Sequence, residues 1–293
     1  MSLKRTLASY WKLARPRIWT LLTFTGIVSM LVAYRETMVA PSIGTIVPCF
    51  IALTLGSASA EVLTNYHDRD VDSIMRRTMK RPLPSGEVSP RSALLFGLVM
   101  AIPSVLIPLA FINVASAGFM VAGLFVNIII YSLLLKRRCW LNIVLGGISG
   151  GMPVMVGYSA VPTANPFTPI ALYMFALVVV WIPTHVWSLA IFSRSDYEAA
   201  KIPMLPVVFG DRVATVCIAG TSALLAFFSL AIFLFTHISI FYTISALVLG
   251  AIVLTFSAKL AIDQDHHTAW TLFKITSPYL ALIFLLLCIT VWV

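Results

Sequence analysis

Residues 65–86 read NYHDRDVDSIMRRTMKRPLPSG, and they follow directly on a long apolar run. Asn65, Asp68 and Asp72 stand at positions i, i+3 and i+7, so on a helix they share one face, whereas Asp70 points elsewhere. Mg²⁺ prefers hard oxygen ligands and commonly bridges one or two protein carboxylates to substrate phosphates. The stretch therefore predicts a metal and diphosphate site at the edge of a membrane.

Basic residues follow the carboxylates closely enough to take the remaining phosphate oxygens. They are Arg76, Arg77, Lys80 and Arg81. The ordinary alternative is that acids and bases at a helix end do no more than solvate a loop. Glu61 lies one turn before Asn65, at a depth where a carboxylate is costly and usually functional, and is a further candidate for the same cavity.

The composition defines the class of protein. Of the 293 residues, 60% are hydrophobic and 11% are charged, and the mean hydropathy is +0.97. Soluble domains carry about 25% charged residues. Helices of roughly 20 apolar residues cross a bilayer, so the sequence predicts an all-α polytopic membrane protein, with transmembrane helices around a central cavity and one domain over residues 1–293. The nine predicted spans are 17–34, 44–66, 91–111, 115–135, 141–160, 166–192, 212–234, 237–260 and 270–293.

The basic residues predict the orientation in the membrane. A net charge of +9 could suggest a nucleic-acid partner, but the charges lie in the loops between apolar spans. Every Lys and Arg except Arg35 falls on one side of the predicted spans. The positive-inside rule therefore places the N-terminus and the large loops in the cytoplasm and the C-terminus outside. We expect a multi-pass protein of the cell (plasma) membrane, surrounded by the lipid bilayer, with no nucleic-acid partner.

The fourth predicted span carries a second candidate cluster. Asn127 and Tyr131 are four residues apart, and Lys136 and Arg137 follow at the cytoplasmic end. A Tyr ring stabilises positive charge by cation–π attraction, and a basic cluster takes up a departing diphosphate. An interfacial Tyr with snorkelling basic anchors has the same pattern, and the residues alone leave both interpretations open.

The sixth predicted span contains a histidine at membrane depth. His185 follows Pro183 and lies between Trp181 and Trp187, where a large aromatic molecule or a haem could bind. The alternative is a hydrogen-bonded histidine that only packs between helices.

Two cytoplasmic loops, about 67–90 and 193–211, are long and polar enough to carry a site. Each contains a Leu-Pro pair and reaches a glycine before the next helix, which suggests a weak internal repeat whose loops face each other across the cavity. The second loop carries Asp196 and Tyr197. Position 200 is Ala, so a second Asp-x-x-x-Asp motif is absent.

Four blocks carry a resemblance to a known family. They are NYHDRDVDSIMRRTMKRPLPSG, YSLLLKRRCWLNIVLGGISGGMPVMVGY, WIPTHVWSLAIFSRSDYEAAKIPMLPVVFG and AWTLFKITSPYL. In this order they resemble the signature blocks of the protoheme IX farnesyltransferases (haem O synthases), a family of the UbiA superfamily of intramembrane prenyltransferases. The resemblance extends over nearly the whole chain.

The resemblance implies a nine-helix bundle that binds farnesyl diphosphate with Mg²⁺ and joins the farnesyl group to a vinyl group of haem B, giving haem O. It also makes a haem A synthase or a terminal oxidase assembly a candidate partner. The residues that match the family fall into three sets. Asn65, Asp68 and Asp72 match the metal motif, with Tyr131 and Lys136 as further catalytic residues; Arg76, Arg77, Lys80, Arg81, Lys136 and Arg137 are the expected diphosphate ligands; His185, Trp181, Trp187, Asp196 and Tyr197 are expected at the haem or acceptor.

The sequence departs from the family pattern at two positions. Thr184 stands where a second Pro is usual, and Lys201 replaces a usual Gly. Two other functions remain open. One is an aromatic prenyltransferase acting on a quinone or lipid precursor, and the other is a transporter or haem-binding membrane protein, whose buried polar residues would mark a path or a haem site.

Overall fold

The computed structural model describes residues 3–234 and 239–292, and in these residues every regular element is helical. The helices are α1 (Leu3–Leu13), α2 (Pro16–Thr37), α3 (Ile43–His67), α4 (Arg69–Ile74), α5 (Pro90–Phe111), α6 (Val114–Phe125) with a π-helical continuation (Val126–Leu135), α7 (Asn142–Gly146), α8 (Ile148–Ser159), α9 (Pro169–Phe192), α10 (Arg194–Ala199), α11 (Leu205–Leu230) with a 3₁₀ turn (Ala231–Leu234), α12 (Ile240–Asp263) and α13 (His266–Trp292).

The predicted all-α membrane architecture is confirmed. Within the described residues, eight helices are long and apolar enough to cross a membrane. The predicted span 141–160 is instead divided into the shorter helices α7 and α8, which meet at Gly147. The first two residues of the predicted span 237–260 and the last residue of 270–293 lie outside the described residues.

The long helices form a ring, and the last of them, α13, packs against the first, α2. Each long helix packs on its neighbours in chain order, and α13 packs back on α2. Helix α8 also crosses α2 closely: a Cβ at Gly157 would lie 1.9 Å from the Gly26 carbonyl oxygen. Small residues allow backbones to approach in this way where lipid supplies no hydrophobic drive for helix association. The ring encloses a cavity whose charged residues lie near the helix ends that carry the two long polar loops.

The outer surface of the ring is apolar. On α5, for example, Leu95, Ile102 and Phe111 are each more than half exposed, as expected of side chains that face lipid. Helix α1 lies against this bundle, with the Tyr10 ring 4.9 Å from the Phe96 ring. Trp11 on α1 is exposed, consistent with the amphipathic helices that lie in the membrane interface.

Candidate functional site

A cavity of about 420 Å³ lies inside the ring. It is bordered by α2, α3, α4, the π-helical segment, α7, α8, α9, α10 and α13, together with the loops that follow α4 and α10. Its charged and aromatic lining residues include Arg15, Arg17, Glu61, Asp68, Asp72, Arg77, Arg81, Tyr131, Lys136, Trp181, His185, Tyr197 and Phe273. Most of the predicted site residues are therefore brought together around one cavity.

The metal motif lies where α3 ends. Helix α3 stops at His67, Asp68 has φ −86° and ψ 3°, and α4 begins at Arg69. Asn65, Asp68 and Asp72 therefore do not share one continuous helix, although all three are buried. The Asp72 N–H donates to the Asp68 carbonyl at 2.7 Å, which keeps the second carboxylate close to the first.

Each acid that faces the cavity has a basic partner. Lys136 Nζ donates to Asp68, and Arg81 Nη1 donates to Asp72 Oδ2 at 2.7 Å. Deeper in the ring, Arg15 pairs with Glu61 at 2.9 Å. Burial lowers the pKa of Arg81 to about 10, and the nearby Arg15 charge adds to this lowering. The lining holds five basic and three acidic residues, so its net charge is positive, which suits an anionic ligand.

Two oxygens of the predicted metal motif remain free. Asn65 Nδ2 donates to the Leu13 carbonyl at 2.9 Å, so its Oδ1 is turned the other way. Asn65 Oδ1 and Asp68 Oδ1 are both buried and have no hydrogen-bond partner among the described residues. Buried polar atoms are normally satisfied, so these two oxygens fit a hard cation such as Mg²⁺.

The protein alone does not complete a metal site. In the part of the chain that the structure describes, no three His, Cys, Asp or Glu side chains gather closely enough to hold an ion. A cation on Asn65 and the two carboxylates would therefore need additional oxygen ligands. Mg²⁺ usually takes these from substrate phosphates and water.

Asp70 faces away from the cavity, as the spacing predicts. Its side chain is 63% exposed and forms two 2.7 Å hydrogen bonds with Arg137. The bond from Arg137 holds the pKa of Asp70 low, at about 2. Arg137 also donates to the His67 carbonyl at 2.9 Å and comes within 4.0 Å of Asp68. Arg137 is therefore committed to the end of α3 rather than to the cavity lining.

The predicted basic tail divides into two groups. Arg77 and Arg81 line the cavity, whereas Arg76 and Lys80 are exposed outside the cavity lining. The sequence reasoning missed Arg15 and Arg17, which also line the cavity. Their signal was the Arg-Pro-Arg run at the start of the first span, but positive residues there also serve as ordinary membrane anchors.

Asp196 binds backbone rather than the cavity. Its two carboxylate oxygens accept the N–H groups of Arg76 and Arg77 at 3.0 and 3.1 Å. The two long polar loops therefore contact each other directly, and Asp196 fixes the segment that carries Arg77. Its neighbour Tyr197 lines the cavity.

Tyr131 lies in a π-helix, an arrangement that the sequence did not predict. The Lys136 N–H donates to the Tyr131 carbonyl at 2.8 Å, five residues back. The Tyr131 ring rests on Gly146, where a Cβ would come within 2.3 Å of the ring. Lys136 Nζ lies 5.7 Å from the ring centre. π-helical segments within α-helices are frequent at functional sites.

A row of aromatic rings borders the cavity beside His185. The imidazole stacks on Trp181 at 4.5 Å and on Phe273 at 4.3 Å. Phe273 stacks in turn on Trp270 at 5.1 Å. Trp187 is buried outside the cavity lining, and its Nε1 has no partner among the described residues.

The two departures from the family pattern have structural explanations. Thr184 donates to Thr221 at 2.9 Å and so joins α9 to α11. Lys201 has φ +55°, in the left-handed region. Glycine enters this region without a steric cost, so the usual residue at this position serves the backbone conformation.

A smaller apolar pocket of about 60 Å³ adjoins the cavity. The two share Leu22, Glu61, Asn127, Ser149 and Gly150. From there the smaller pocket continues between α3 and α6, where its lining includes Leu53, Gly56, Phe119 and Met120. An apolar chain entering the cavity would find a continuous path here.

The ring of helices and its polar cavity define an intramembrane enzyme class. Residues 18–290 match the UbiA prenyltransferase family. Two solved structures share the fold. A digeranylgeranylglyceryl phosphate synthase has a TM-score of 0.76 at 17% identity and covers 98% of both chains. A UbiA homologue from Archaeoglobus fulgidus, bound to DMAPP and Mg²⁺, has a TM-score of 0.68 at 18% identity, over 94% of this chain and 99% of the other.

Closer relatives in sequence narrow the family. The protoheme IX farnesyltransferase of Thermoplasma volcanium is 41% identical over 280 residues, which are 96% of each chain. The enzyme of the same name from Desulforudis audaxviator is 39% identical over 293 residues, covering 98% of this chain and 89% of the relative. The chain therefore belongs to the UbiA prenyltransferase family, among the protoheme IX farnesyltransferases.

Proposed function

We propose that this protein transfers the farnesyl group of farnesyl diphosphate to a vinyl group of haem B, giving haem O and diphosphate. The observation that carries the proposal is a single cavity lined by the Asp68 and Asp72 carboxylates, by four arginines with a lysine, and by an aromatic row containing an imidazole, with Asn65 buried outside the lining. The first two sets suit a metal-bound diphosphate, and the third suits a flat aromatic acceptor.

Asn65, Asp68 and Asp72 would hold Mg²⁺, which supplies charge neutralisation to the leaving diphosphate. Arg77, Arg81 and Lys136 would bind the remaining phosphate oxygens. Lys136 and Arg81 already neutralise Asp68 and Asp72. When a cation takes over that task, both basic side chains become available to the diphosphate.

The residues around the reacting carbon stabilise and shield positive charge. As the bond from carbon 1 of the farnesyl group to diphosphate breaks, the Tyr131 ring can stabilise the allylic cation by cation–π attraction. The terminal vinyl carbon then bonds to carbon 1, and water adds to the resulting cation next to the porphyrin and releases a proton. Ile143, Ile182 and other apolar lining residues limit the access of water to the first cation.

The smaller apolar pocket would hold the end of the farnesyl chain. Its lining is almost entirely hydrocarbon beyond the residues it shares with the cavity. Because Gly56 packs against Met120, with only 2.4 Å from a built Cβ to the sulfur, a larger residue at position 56 should shorten the path. Burial of each additional methylene contributes about 0.8 kcal/mol to binding a chain of this kind.

The basic loops support a plasma-membrane protein with its N-terminus and active-site loops in the cytoplasm and its C-terminus outside. The whole chain would act as one intramembrane domain. Its product would be consumed by a haem A synthase or a terminal oxidase assembly, and that step needs no further site on this chain.

The test is to incubate purified protein in lipid nanodiscs with haem B, farnesyl diphosphate and Mg²⁺, and to analyse the haem by mass spectrometry. A mass gain of one farnesyl group plus one hydroxyl group is expected, with none in EDTA or in the Asp68→Ala variant. Unchanged haem together with Mg²⁺-dependent release of diphosphate would assign an aromatic or lipid acceptor instead. If neither product forms, the protein is not a prenyltransferase of these substrates.

A further inference from the structure

Helix α1 is attached to both ends of the first long polar loop. Just before that loop begins, the carbonyl of Leu13, the last residue of α1, accepts the Asn65 side-chain N–H at 2.9 Å. Near the far end of the loop, Glu87 accepts the Ser9 hydroxyl at 2.7 Å. Ser9 and Leu13 are both buried. Helix α1 therefore fastens the segment that carries the metal motif at two points.

The hydrogen bond to Leu13 sets the direction of the Asn65 amide. The last carbonyl groups of a helix have no partner within it, and the Leu13 carbonyl binds Asn65 Nδ2 instead. Asn65 Oδ1 is thereby turned away from α1, and it is buried without a hydrogen-bond partner among the described residues. With α1 displaced, nothing on Leu13 would hold Nδ2, and the amide would be free to rotate out of the orientation that suits a cation.

The turn after α1 strengthens this attachment. Arg15 has φ +50°, in the left-handed region, and α2 begins at the next residue. Its side chain pairs with Glu61 at 2.9 Å. Glu61 and Asn65 are four residues apart on α3 and so lie on one face. The end of α1 and the start of α2 are therefore held together on the face of α3 that leads to the metal motif.

The exposed part of α1 has two chemically different edges. On one edge, Leu7 and Trp11 are 61% and 58% exposed. The other edge, which we call the cationic edge, consists of the exposed residues Lys4, Arg5 and Lys12. At 3.6 residues per turn, these three fall within about 100° of one another. An interfacial helix has this pattern when its apolar edge lies among acyl chains and its cations lie among headgroups.

The surroundings of α1 are consistent with that placement. The Trp11 ring lies 6.0 Å from the ring of Trp19, in the first turn of α2, so the apolar edge is level with the start of the first long apolar helix. The helix reads LKRTLASYWKL and contains no acidic residue. The cationic edge is therefore not neutralised within α1, and it complements the negative charge of lipid phosphates.

We propose that the cationic edge of α1 binds the phosphate groups of anionic lipids, and that this binding holds the Leu13 carbonyl against Asn65. The lipid surface thereby lowers the Mg²⁺ concentration that the enzyme requires. This rests on the proposed function in one respect, namely that Asn65 binds the metal. Because coupling between two sites is reciprocal, metal binding at Asn65 also strengthens the binding of α1 to lipid.

The first test compares two bilayers. The protein is reconstituted in nanodiscs of phosphatidylcholine, or of phosphatidylcholine and phosphatidylglycerol in equal parts. In the anionic discs, amide hydrogen exchange of residues 3–15 should slow at least about fivefold, and the Mg²⁺ concentration at half-maximal diphosphate release should fall by at least about the same factor. High salt should remove both effects, because it screens exposed charges.

A charge variant separates α1 from the general surface potential, since an anionic bilayer also concentrates Mg²⁺ near its whole surface. In K4Q/R5Q/K12Q the cationic edge is neutral. This variant should show no slowing of exchange in the anionic discs, and its Mg²⁺ requirement should fall much less than that of wild-type protein. A wild-type response in this variant would overturn the proposal.

The matched control removes the same number of charges elsewhere. R91Q/R212Q/K259Q neutralises three exposed cations that lie outside α1. It should respond to the anionic discs as wild-type protein does, in both exchange and Mg²⁺ requirement. If this control and K4Q/R5Q/K12Q lose the response equally, the effect belongs to total charge and the proposal fails.

The coupling to the metal motif is tested at Ser9. Ser9→Ala removes the hydrogen bond to Glu87, so exchange of α1 should become faster and the Mg²⁺ requirement in anionic discs should rise about threefold. Glu87→Gln keeps an oxygen that accepts from Ser9, and should change both quantities much less. Faster exchange in Ser9→Ala with an unchanged Mg²⁺ requirement would overturn the coupling between α1 and Asn65.

The outcomes separate this inference from the proposed function. If diphosphate release needs no Mg²⁺ in any disc, the proposed metal site is wrong and the coupling falls with it, whereas the exchange data still decide whether α1 binds anionic lipid. If release needs Mg²⁺ but wild-type protein and K4Q/R5Q/K12Q respond alike, the metal site stands and this inference fails. Slower exchange and a lower Mg²⁺ requirement that both depend on the cationic edge support it.

Discussion

The two long polar loops each lead to a glycine with positive φ but differ in chemistry. Gly86 lies shortly before α5 with φ +76°, and Gly210 interrupts α11 near its start with φ +81°. At neither glycine would a Cβ meet another atom within 4 Å. Both are therefore explained by conformation rather than by space. The similarity between the loops reflects how each chain segment enters its next helix.

The charged groups of the two loops serve different purposes. In the first loop Asp68 and Asp72 are buried, line the cavity and pair with basic residues that line it too. In the second loop Asp196 holds the backbone of the first, while Arg194 pairs with Glu198 at 2.7 Å on the surface. The first loop supplies ligands and the second supplies support. A pattern of loop residues alone does not distinguish these roles.

The largest effect is expected at Asp68, because the first loop is the one that supplies ligands to the cavity. Asp68→Ala removes a candidate metal ligand and leaves the buried Lys136 without its counterion. We expect turnover to fall at least about 10³-fold, the upper range for loss of one group that stabilises charge in a transition state. The measurement is the initial rate of diphosphate release over a range of Mg²⁺ concentrations.

Asp70→Asn is the matched control for Asp68→Ala. Asp70 is two residues away on the same loop, but its side chain is exposed and pairs with Arg137. Exposed ion pairs contribute about 1 kcal/mol or less, so we expect less than a threefold change in turnover. Equal losses in both variants would show that the division between buried and exposed carboxylates has no functional meaning.

A smaller and different effect is expected at Asp196. Asp196→Asn leaves one carbonyl oxygen for two backbone N–H groups, so either Arg76 or Arg77 loses its acceptor. An unsatisfied buried donor costs about 1–3 kcal/mol. If about 1.4 kcal/mol of this cost weakens the interaction of Arg77 with the transition state, the maximal rate should fall roughly tenfold. The Mg²⁺ concentration at half-maximal rate should not change.

Glu198→Gln is the control for Asp196→Asn, because Glu198 lies on the same short helix but is exposed and pairs with Arg194 at the surface. It should have nearly wild-type kinetics. An increase in the Mg²⁺ requirement of Asp196→Asn would show that Asp196 is a metal ligand and that both loops supply ligands.

The sequence predicted those features of the structure that are determined by residues close together in the chain. The apolar runs predicted the long helices, and the spacing of Asn65, Asp68 and Asp72 brought together three residues that are buried at one helix junction. The break at Asp68 was not predicted, because nothing in the residue types distinguishes a continuous helix from one with a turn between two segments.

The features that escaped prediction depend on partners far away in the chain. Val126–Leu135 forms a π-helix whose Tyr131 rests on Gly146, a contact that periodicity does not encode. Asp196 was predicted at the acceptor, but its observed partners are backbone N–H groups, which no residue type reveals. Arg15 resembled a membrane anchor until its pairing with Glu61 was visible.

Arg15 tests whether the ligand-bearing region extends beyond the first loop. Arg15→Gln removes a charge from the cavity and leaves Glu61 unpaired. A hydrogen bond to a charged group contributes about 1.5 kcal/mol, so the KM for farnesyl diphosphate should rise roughly tenfold. The thermal unfolding midpoint should fall, and the double variant Arg15→Gln/Glu61→Gln should recover it. Recovery of KM as well would assign Arg15 to structure alone.

Lys201 provides the smallest test, within the supporting loop. Its φ of +55° lies in the left-handed region, where a residue with a side chain costs about 1–2 kcal/mol. Lys201→Gly removes that cost but loses about 0.5–1 kcal/mol through the greater freedom of the unfolded chain. The expected net gain in stability is therefore only about 0.5–1 kcal/mol, measured as thermal unfolding in nanodiscs, with no change in turnover.

Charge and conformation at position 201 can be separated. Lys201→Gln removes the charge and keeps the strained backbone, so a supporting loop predicts unchanged kinetics in this variant and in Lys201→Gly alike. A raised KM for farnesyl diphosphate in both would mean that the Lys201 charge attracts the substrate from the exposed side of the loop. The second loop would then also bind farnesyl diphosphate, and the two loops would differ only in how strongly they contribute to binding.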